Sequence, residues 1–186
     1  MNPTKLTIWG LLSLAIPSIV SQLLNNAFRI IDQYSIQWLG SAAQAAMGAT
    51  SFVLIAAFSL FMLIGAGIGP LVGRATGAQD DESRTIFIGQ GLRTTTIISF
   101  IYCAILVFGS PFFPALVGLQ DQAAELMETY LRWLGLCGFF LAFGPVIDAI
   151  YISTGNTKFP MFLQLIGTII NACLNFFLIY TMELGI

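Results

Sequence analysis

Five stretches of this chain run for about 20 residues or more with almost no charge, the length a helix needs to cross the hydrocarbon core of a bilayer. Lipid offers a backbone no hydrogen bonds, so only helices and closed barrels span it. The runs are continuous instead of alternating with period two, which argues against a barrel. The fold class that follows is all-α: a polytopic membrane helical bundle with five transmembrane helices, expected at about 7–39, 45–72, 86–108, 131–152 and 159–181. Composition points the same way. Of 186 residues 57% are hydrophobic and 9% charged, where a soluble domain carries roughly 25% charged residues. So few charges cannot cover a water-facing surface, and lipid is the expected solvent. There is no basic tract for a nucleic acid.

The first run carries ionisable groups at a depth where they are expensive. Steps of four and three from Ser18 reach Gln22, Asn25, Arg29 and Asp32, all on one side of a helix. The opposite side is Ile19, Val20, Leu23, Leu24, Ala27, Ile30 and Ile31. At a rise of about 1.5 Å per residue Asp32 lies roughly 9 Å below Trp38, inside the bilayer. Intramembrane acids usually face a bundle interior or a watery cavity. Asp32 is therefore the expected switchable group of a transport path, and Gln22, Asn25, Asn26 and Arg29 the expected cavity lining. Spacing alone equally allows a static Arg29–Asp32 ion pair at i, i+3. Asn171 and Asn175, one turn apart in the fifth run, can offer amide groups to a cation or to Asp32, or can serve as plain interhelical glue. Asp148, one turn after Pro145, is a second buried acid and a secondary candidate.

The connections are less informative. Gly65, Gly69, Gly73 and Gly77 recur every fourth residue and suit close helix packing; no strand or G-K-[ST] accompanies them, so a phosphate loop is rejected. Asp80, Asp81 and Glu82 lack calcium-loop spacing and read as a solvated turn before a helix. Cys103, Cys137 and Cys173 lie in apolar runs without metal spacing, and histidine is absent, so no zinc site is expected. With no nucleophile–base pair either, the chain is not read as an enzyme. The apolar run after MNPTKLTIWG exceeds signal-peptide length and lacks a cleavage pattern, so a retained first helix is expected. A bend is expected near Pro17, and Trp9 and Trp38 suit interfacial anchors. Lys5, Arg74, Arg84, Arg93 and Lys158 fall on one side; Arg132, Asp121, Glu125, Glu128 and Glu183 fall on the other. The positive-inside rule then makes the N-terminus cytoplasmic, in the inner (plasma) membrane, and five spans leave the C-terminus outside.

Four pieces in this order resemble the N-terminal half of the multidrug and toxic compound extrusion (MATE) family: LAIPSIVSQLLNNAFRIIDQYSIQWLGSAAQAAMGA, GRATGAQDDESR, ELMETYLRWLGL, and STGNTKFPM followed by IINACLNFFLI. The resemblance implies a twelve-helix fold of two lobes, of which residues 1–186 would be a single incomplete N-lobe, truncated after the fifth helix. It implies antiport: export of small cationic, amphipathic organic compounds in exchange for Na+ or H+, the only cofactor-like requirement. It places the key ion-linked acid at Asp32 and its helpers at Asn171 and Asn175. Relatives often carry aspartate where this chain has Asn175, and no charge is expected at Arg29. A missing C-terminal lobe or a second chain, together with the lipid bilayer, completes the expected partners. The alternatives are a non-transporting membrane scaffold or assembly partner, and a lipid-linked sugar flippase relative.

Overall fold

The computed structural model describes residues 8–181, side chains at 38 and 179–181 excepted. Expectations placed on Lys5, Glu183 and the Trp38 ring lie outside the described residues. Helix α1 is Ile8–Ile36, α2 is Ser41–Ala78, α3 is Asp81–Gly109, α4 is the short Phe113–Leu116, α5 is Asp121–Cys137, α6 is Phe143–Ser153 and α7 is Lys158–Asn175. A 3-10 turn at Gly138–Ala142 joins α5 to α6 into one span, and α7 widens into a π-helical stretch at Phe176–Thr181. Five segments are thus long and apolar enough to cross a membrane.

The bundle has two ends, which we call the Gly40 end and the Gly155 end after their connecting turns. Both glycines hold a positive φ, 92° and 82°, that a side chain would strain. Helices α1, α3 and α7 run toward the Gly40 end; α2 and the α5–α6 span run back. The order of packing is α1 on α7, α7 on α6, α6 on α2, with α3 and α5 behind α2. α1 and α2 touch little beyond the turn that joins them. The core is small and apolar. Ala46, Leu106, Met127 and Leu131 form one cluster, and Ala57, Phe61 and Ala142 another. Of the residues opposite the polar seam of α1, Ile19, Leu23 and Ile30 are exposed, while Val20, Leu24, Ala27 and Ile31 are half-buried; Trp9 at the helix start is exposed.

Three helix boundaries differ from expectation. α2 runs from Ser41 to Ala78, not 45–72, because the positive φ of Gly40 starts it and nothing in Gly73–Gly77 stops it. It ends where Gln79 turns left-handed and the Asp80 N–H reaches the Ala75 carbonyl. α3 starts at Asp81, not 86, capped by Asp80 and with Asp81 and Glu82 in its first turn. The fourth span starts at Asp121, not 131, because the amphipathic stretch 123–130 continues straight into it. That span also breaks internally. Pro145 has no N–H and its ring crowds the preceding turn, so the helix tightens to 3-10 over Gly138–Ala142. The Phe139 carbonyl there accepts from Ser99 Oγ of α3 at 2.9 Å, a buried hydroxyl satisfying a displaced acceptor. Pro17, by contrast, sits within one uninterrupted helix.

The glycine repeat divides. A methyl group on Gly65 would meet Ala149 Cβ at 2.9 Å and the Pro145 carbonyl oxygen at 3.2 Å, and one on Gly73 would meet the Ser153 carbonyl at 3.4 Å. Gly69 and Gly77 have open space. α6 therefore lies on α2 along Gly65 and Gly73 only.

The Asp80 cap is testable by pH. Hydrogen bonds from Ser83, through its side chain first and its backbone N–H second, hold the Asp80 carboxyl below the usual carboxylate range. A carboxylate depressed on folding adds stability that is complete above its unfolded pKa and is lost as pH falls through the folded one. Protection of the Ser83 amide, read by hydrogen exchange, is expected to fall below about pH 4. In Asp80→Asn, which caps without titrating, the same protection should be flat with pH.

Candidate functional site

Asp32 lies one turn before the end of α1, and α7 brings two amides to it. Asn171 Nδ2 donates to Asp32 Oδ1 at 2.8 Å, and Asn175 Nδ2 donates to the same oxygen at 2.7 Å. The spacing i, i+4 on α7 puts both amides on one face, 3.5 Å apart from Nδ2 of Asn175 to Oδ1 of Asn171. Farther from the Gly40 end the buried Thr168 hydroxyl donates to the Gln164 carbonyl at 2.8 Å and lies 3.4 Å from the Leu24 carbonyl of α1. The two parallel helices are thus latched at two levels by polar groups.

The Arg29–Asp32 ion pair that the spacing allowed does not form. Arg29 Nε donates to Asn25 Oδ1 at 3.3 Å, and its guanidinium lies 5.9 Å from the centre of the Phe58 ring on α2. The reason is rotational. Asp32 is turned toward α7, while Arg29, about 60° farther round the helix, is turned toward α2. The pairs Arg84–Asp81 and Arg132–Glu128 are the ion bridges among the described residues, both at helix surfaces.

The remaining expected side chains divide between wall and exterior. Asn25 is half-buried and engaged by Arg29; Gln22 and Asn26 are exposed and take no hydrogen bond among the described residues. Asn26 lies about 100° from Asn25, off the seam. Asp148 is half-buried on α6, away from the Asp32 cluster. Two groups unnamed from the sequence join the site. Thr168 shares the α7 face of Asn171 and Asn175, and the i, i+3, i+7 pattern could have found it. Tyr130 of α5 lies within electrostatic range of Asp32. No sequence signal marked it, since it falls just before the expected fourth span. Ser21 Oγ and Tyr102 Oη are buried without a hydrogen-bond partner among the described residues.

Chemically, one carboxylate oxygen facing two amide donors is a site for a negative charge out of water. Hydrogen bonds to a charged group contribute about 1.5–3 kcal/mol each. A proton on Asp32 would turn an acceptor into a donor and weaken the set. A sodium ion takes oxygen ligands, so holding one here would need one or both amides rotated to present Oδ1. Carboxylate occupancy and amide orientation are therefore coupled.

The sequence model of the family described as MatE matches residues 17–177, most of the chain. The chain belongs to the MatE family. It is 26% identical to the FAD transporter of Shewanella oneidensis, over 91% of this chain and 38% of that protein. It is likewise 26% identical to the probable multidrug resistance protein YoeA of Bacillus subtilis, over 92% of this chain and 37% of the relative. The fold agrees with a solved MOP superfamily transporter from Pyrococcus furiosus at a TM-score of 0.87 and 23% identity, over 95% of this chain and 39% of that one. This MatE chain thus spans about two fifths of the length of the relatives it matches, and it is a multi-pass membrane protein.

Proposed function

We propose that this MatE chain is part of a secondary active multidrug efflux transporter that exports cationic amphipathic compounds in exchange for Na+ or H+. One observation carries the reading: a carboxylate inside a spanning helix, Asp32, bracketed by Asn171 and Asn175 at 2.8 and 2.7 Å. A membrane protein that keeps an acid at such depth without a cationic partner has a use for its charge. The relative named for multidrug resistance supports the substrate class. The relative named for FAD carries an anionic cargo by that name, so cation preference rests on Asp32. Alternating access needs two bodies moving against each other, so the working unit includes the rest of the transporter or a second chain. The bias of lysine and arginine to one side supports a cytoplasmic N-terminus, and the proposed efflux role goes with the inner (plasma) membrane.

In this mechanism the cation or proton entering from outside takes the Asp32 carboxylate. The amides of α7 then lose their acceptor and turn, and α1 and α7 shift on each other, with Pro17 as the place where α1 can bend. Release inward restores the bracketed carboxylate. The test is efflux from cells that lack their own pumps and express the full-length protein. A fluorescent lipophilic cation is expected to accumulate several-fold less than in empty-vector cells. A protonophore should abolish the difference if H+ drives exchange, and sodium replacement should abolish it if Na+ does. Equal accumulation with and without the protein sinks the reading.

A further inference from the structure

Polar groups continue along the contact between α1 and α7 well past Asp32, toward the Gly155 end. Ser21 stands before Asp32 by about three helical turns, and Gln164 stands before Asn175 by the same interval. At about 100° per residue that interval returns each side chain to within about 20° of its starting direction. Ser21 thus shares the face of Asp32 on α1, and Gln164 shares the face of Asn175 on α7, each about 16 Å farther along. The register between the two parallel helices is fixed at two levels. Asn175 reaches Asp32 across 143 residues of chain, and the Thr168 hydroxyl lies beside the Leu24 carbonyl across 144. Ser21 and Gln164 keep the Asp32–Asn175 separation, so they stand opposite each other one turn beyond the Leu24–Thr168 contact.

The burial of Ser21 points the same way. Its Oγ is sealed from solvent and has no hydrogen-bond partner among the described residues. α7 is the helix packed along α1, whereas α2 touches α1 little, so α7 is what covers the hydroxyl. Gln164 is half-buried there. Its backbone carbonyl accepts from Thr168 at 2.8 Å, while its side-chain amide takes no hydrogen bond among the described residues. The seam also has room. Gly167 lies between the levels of Gln164 and Asn171, within about 60° of both, and a Cβ placed on it would meet nothing within 4 Å. One turn farther along α1 the buried Pro17 has no N–H, so it gives the Ser13 carbonyl no helical hydrogen bond.

A buried hydroxyl without a partner is costly, and in native proteins such a group commonly marks a place for a water or an ion. We infer that Ser21 and Gln164 form a second, uncharged station for the coupling ion, on its way from Asp32 to the cytoplasmic side. The station takes a monovalent cation, or the water that carries a proton, on the Ser21 hydroxyl oxygen and the Gln164 amide oxygen. Thr168 and the Leu24 carbonyl lie between it and Asp32. Neutral oxygens suit a passing ion, because conduction through sites in series needs each to bind well enough to admit the ion and weakly enough to let it go. This rests on the exchange reading above and adds an inward route to it.

The test uses the full-length transporter. Removing a buried hydroxyl that pairs with nothing should leave thermal stability unchanged or raise it. Ser21→Ala is nevertheless expected to lower export of a fluorescent lipophilic cation about tenfold, the effect of losing one ion-holding hydrogen-bonding group. Ser21→Thr, which keeps the hydroxyl, should retain most of the export, and Gln164→Leu should behave as Ser21→Ala. A second measurement does not depend on export. In protein whose native cysteines are replaced, Ser21→Cys should react with a small water-soluble cationic thiol reagent several-fold faster than Leu23→Cys, which lies at nearly the same depth on the exposed side of α1. Slower labelling in Na+ marks the metal cation as the occupant, and labelling indifferent to Na+ marks proton-carrying water. A rate at Ser21→Cys no greater than at Leu23→Cys overturns the station. Unchanged export in Ser21→Ala, with export by the unaltered protein intact, overturns it as well and leaves the efflux reading standing. No export by the unaltered protein overturns the efflux reading and the station with it.

Discussion

Asp32→Asn is expected to leave the protein inserted and folded yet to abolish coupled export. In the full-length transporter, efflux of a lipophilic cation should fall at least tenfold, to the level of empty-vector cells. The substitution is nearly isosteric, so packing between α1 and α7 is kept, and a neutral amide carbonyl can still accept from Asn171 and Asn175. What disappears is the charge, and with it the group that a proton or cation can neutralise. Membrane insertion should hold, since an amide is cheaper at that depth than a carboxylate. Asp32→Glu tests position: it keeps the charge but lengthens the arm by one methylene, which moves the oxygen off two donors that meet it at 2.7 and 2.8 Å. Partial export is expected there. Full drug export by Asp32→Asn, measured beside a surface-expression control, would remove the carboxylate from the mechanism.

Gly135→Leu is expected to be the most disruptive single change outside the site. A Cβ at this position would meet Val107 Cγ2 at 2.7 Å, the Cys103 carbonyl oxygen at 3.0 Å and Leu106 Cβ at 3.0 Å. Only the first of these can swing aside. The backbone carbonyl cannot, so α3 and α5 must separate, and the core cluster of Leu106, Met127 and Leu131 opens with them. Forcing extra carbons into a packed core costs about 1–3 kcal/mol and occasionally more, and a whole side chain against a backbone oxygen belongs at the upper end. Thermal unfolding in detergent should shift down by many degrees, and a ladder from Gly135→Ala to Gly135→Leu should grade the loss. Gly69→Ala, with open space around it, should change stability by no more than about 1 kcal/mol, the helix-propensity difference.

Much of the architecture was readable before any coordinates, and the reasons are local. Continuous apolar runs specify spanning helices because lipid removes the alternatives. The polar seam Ser18–Gln22–Asn25–Arg29–Asp32 was legible as one helix face, but its covering was not: Ser18, Asn25 and Asp32 are half-buried while Gln22 and Arg29 are exposed, because cover depends on the neighbouring helices. Helix ends were read less well. The start of α5 at Asp121 and the continuation of α2 through Gly73 and Gly77 depend on caps and turns that a hydropathy pattern does not register. The glycine repeat pointed to close packing, yet only Gly65 and Gly73 of the repeat meet α6, and the closest approach of a glycine to a neighbouring helix backbone is at Gly135, which belongs to no repeat and where an added Cβ would lie 3.0 Å from the Cys103 carbonyl oxygen.

The same division runs through the site. The amino-acid order was enough to name a membrane bundle, an acid at Asp32 and two amides at Asn171 and Asn175, since a charge in an apolar run announces itself at once. It left open whether Asp32 pairs with Arg29 or turns elsewhere, because both lie on one helical face and spacing measures only distance along a helix. Packing settled that choice. α7 lies against α1 so that two amides, 139 and 143 residues away in the chain, reach one carboxylate oxygen, while α2 offers Phe58 to the guanidinium. Which side chain faces which neighbour depends on how helices are rotated against each other, and that is set by the summed contacts of whole faces, such as Gly65 against Pro145 and Gly135 against Cys103.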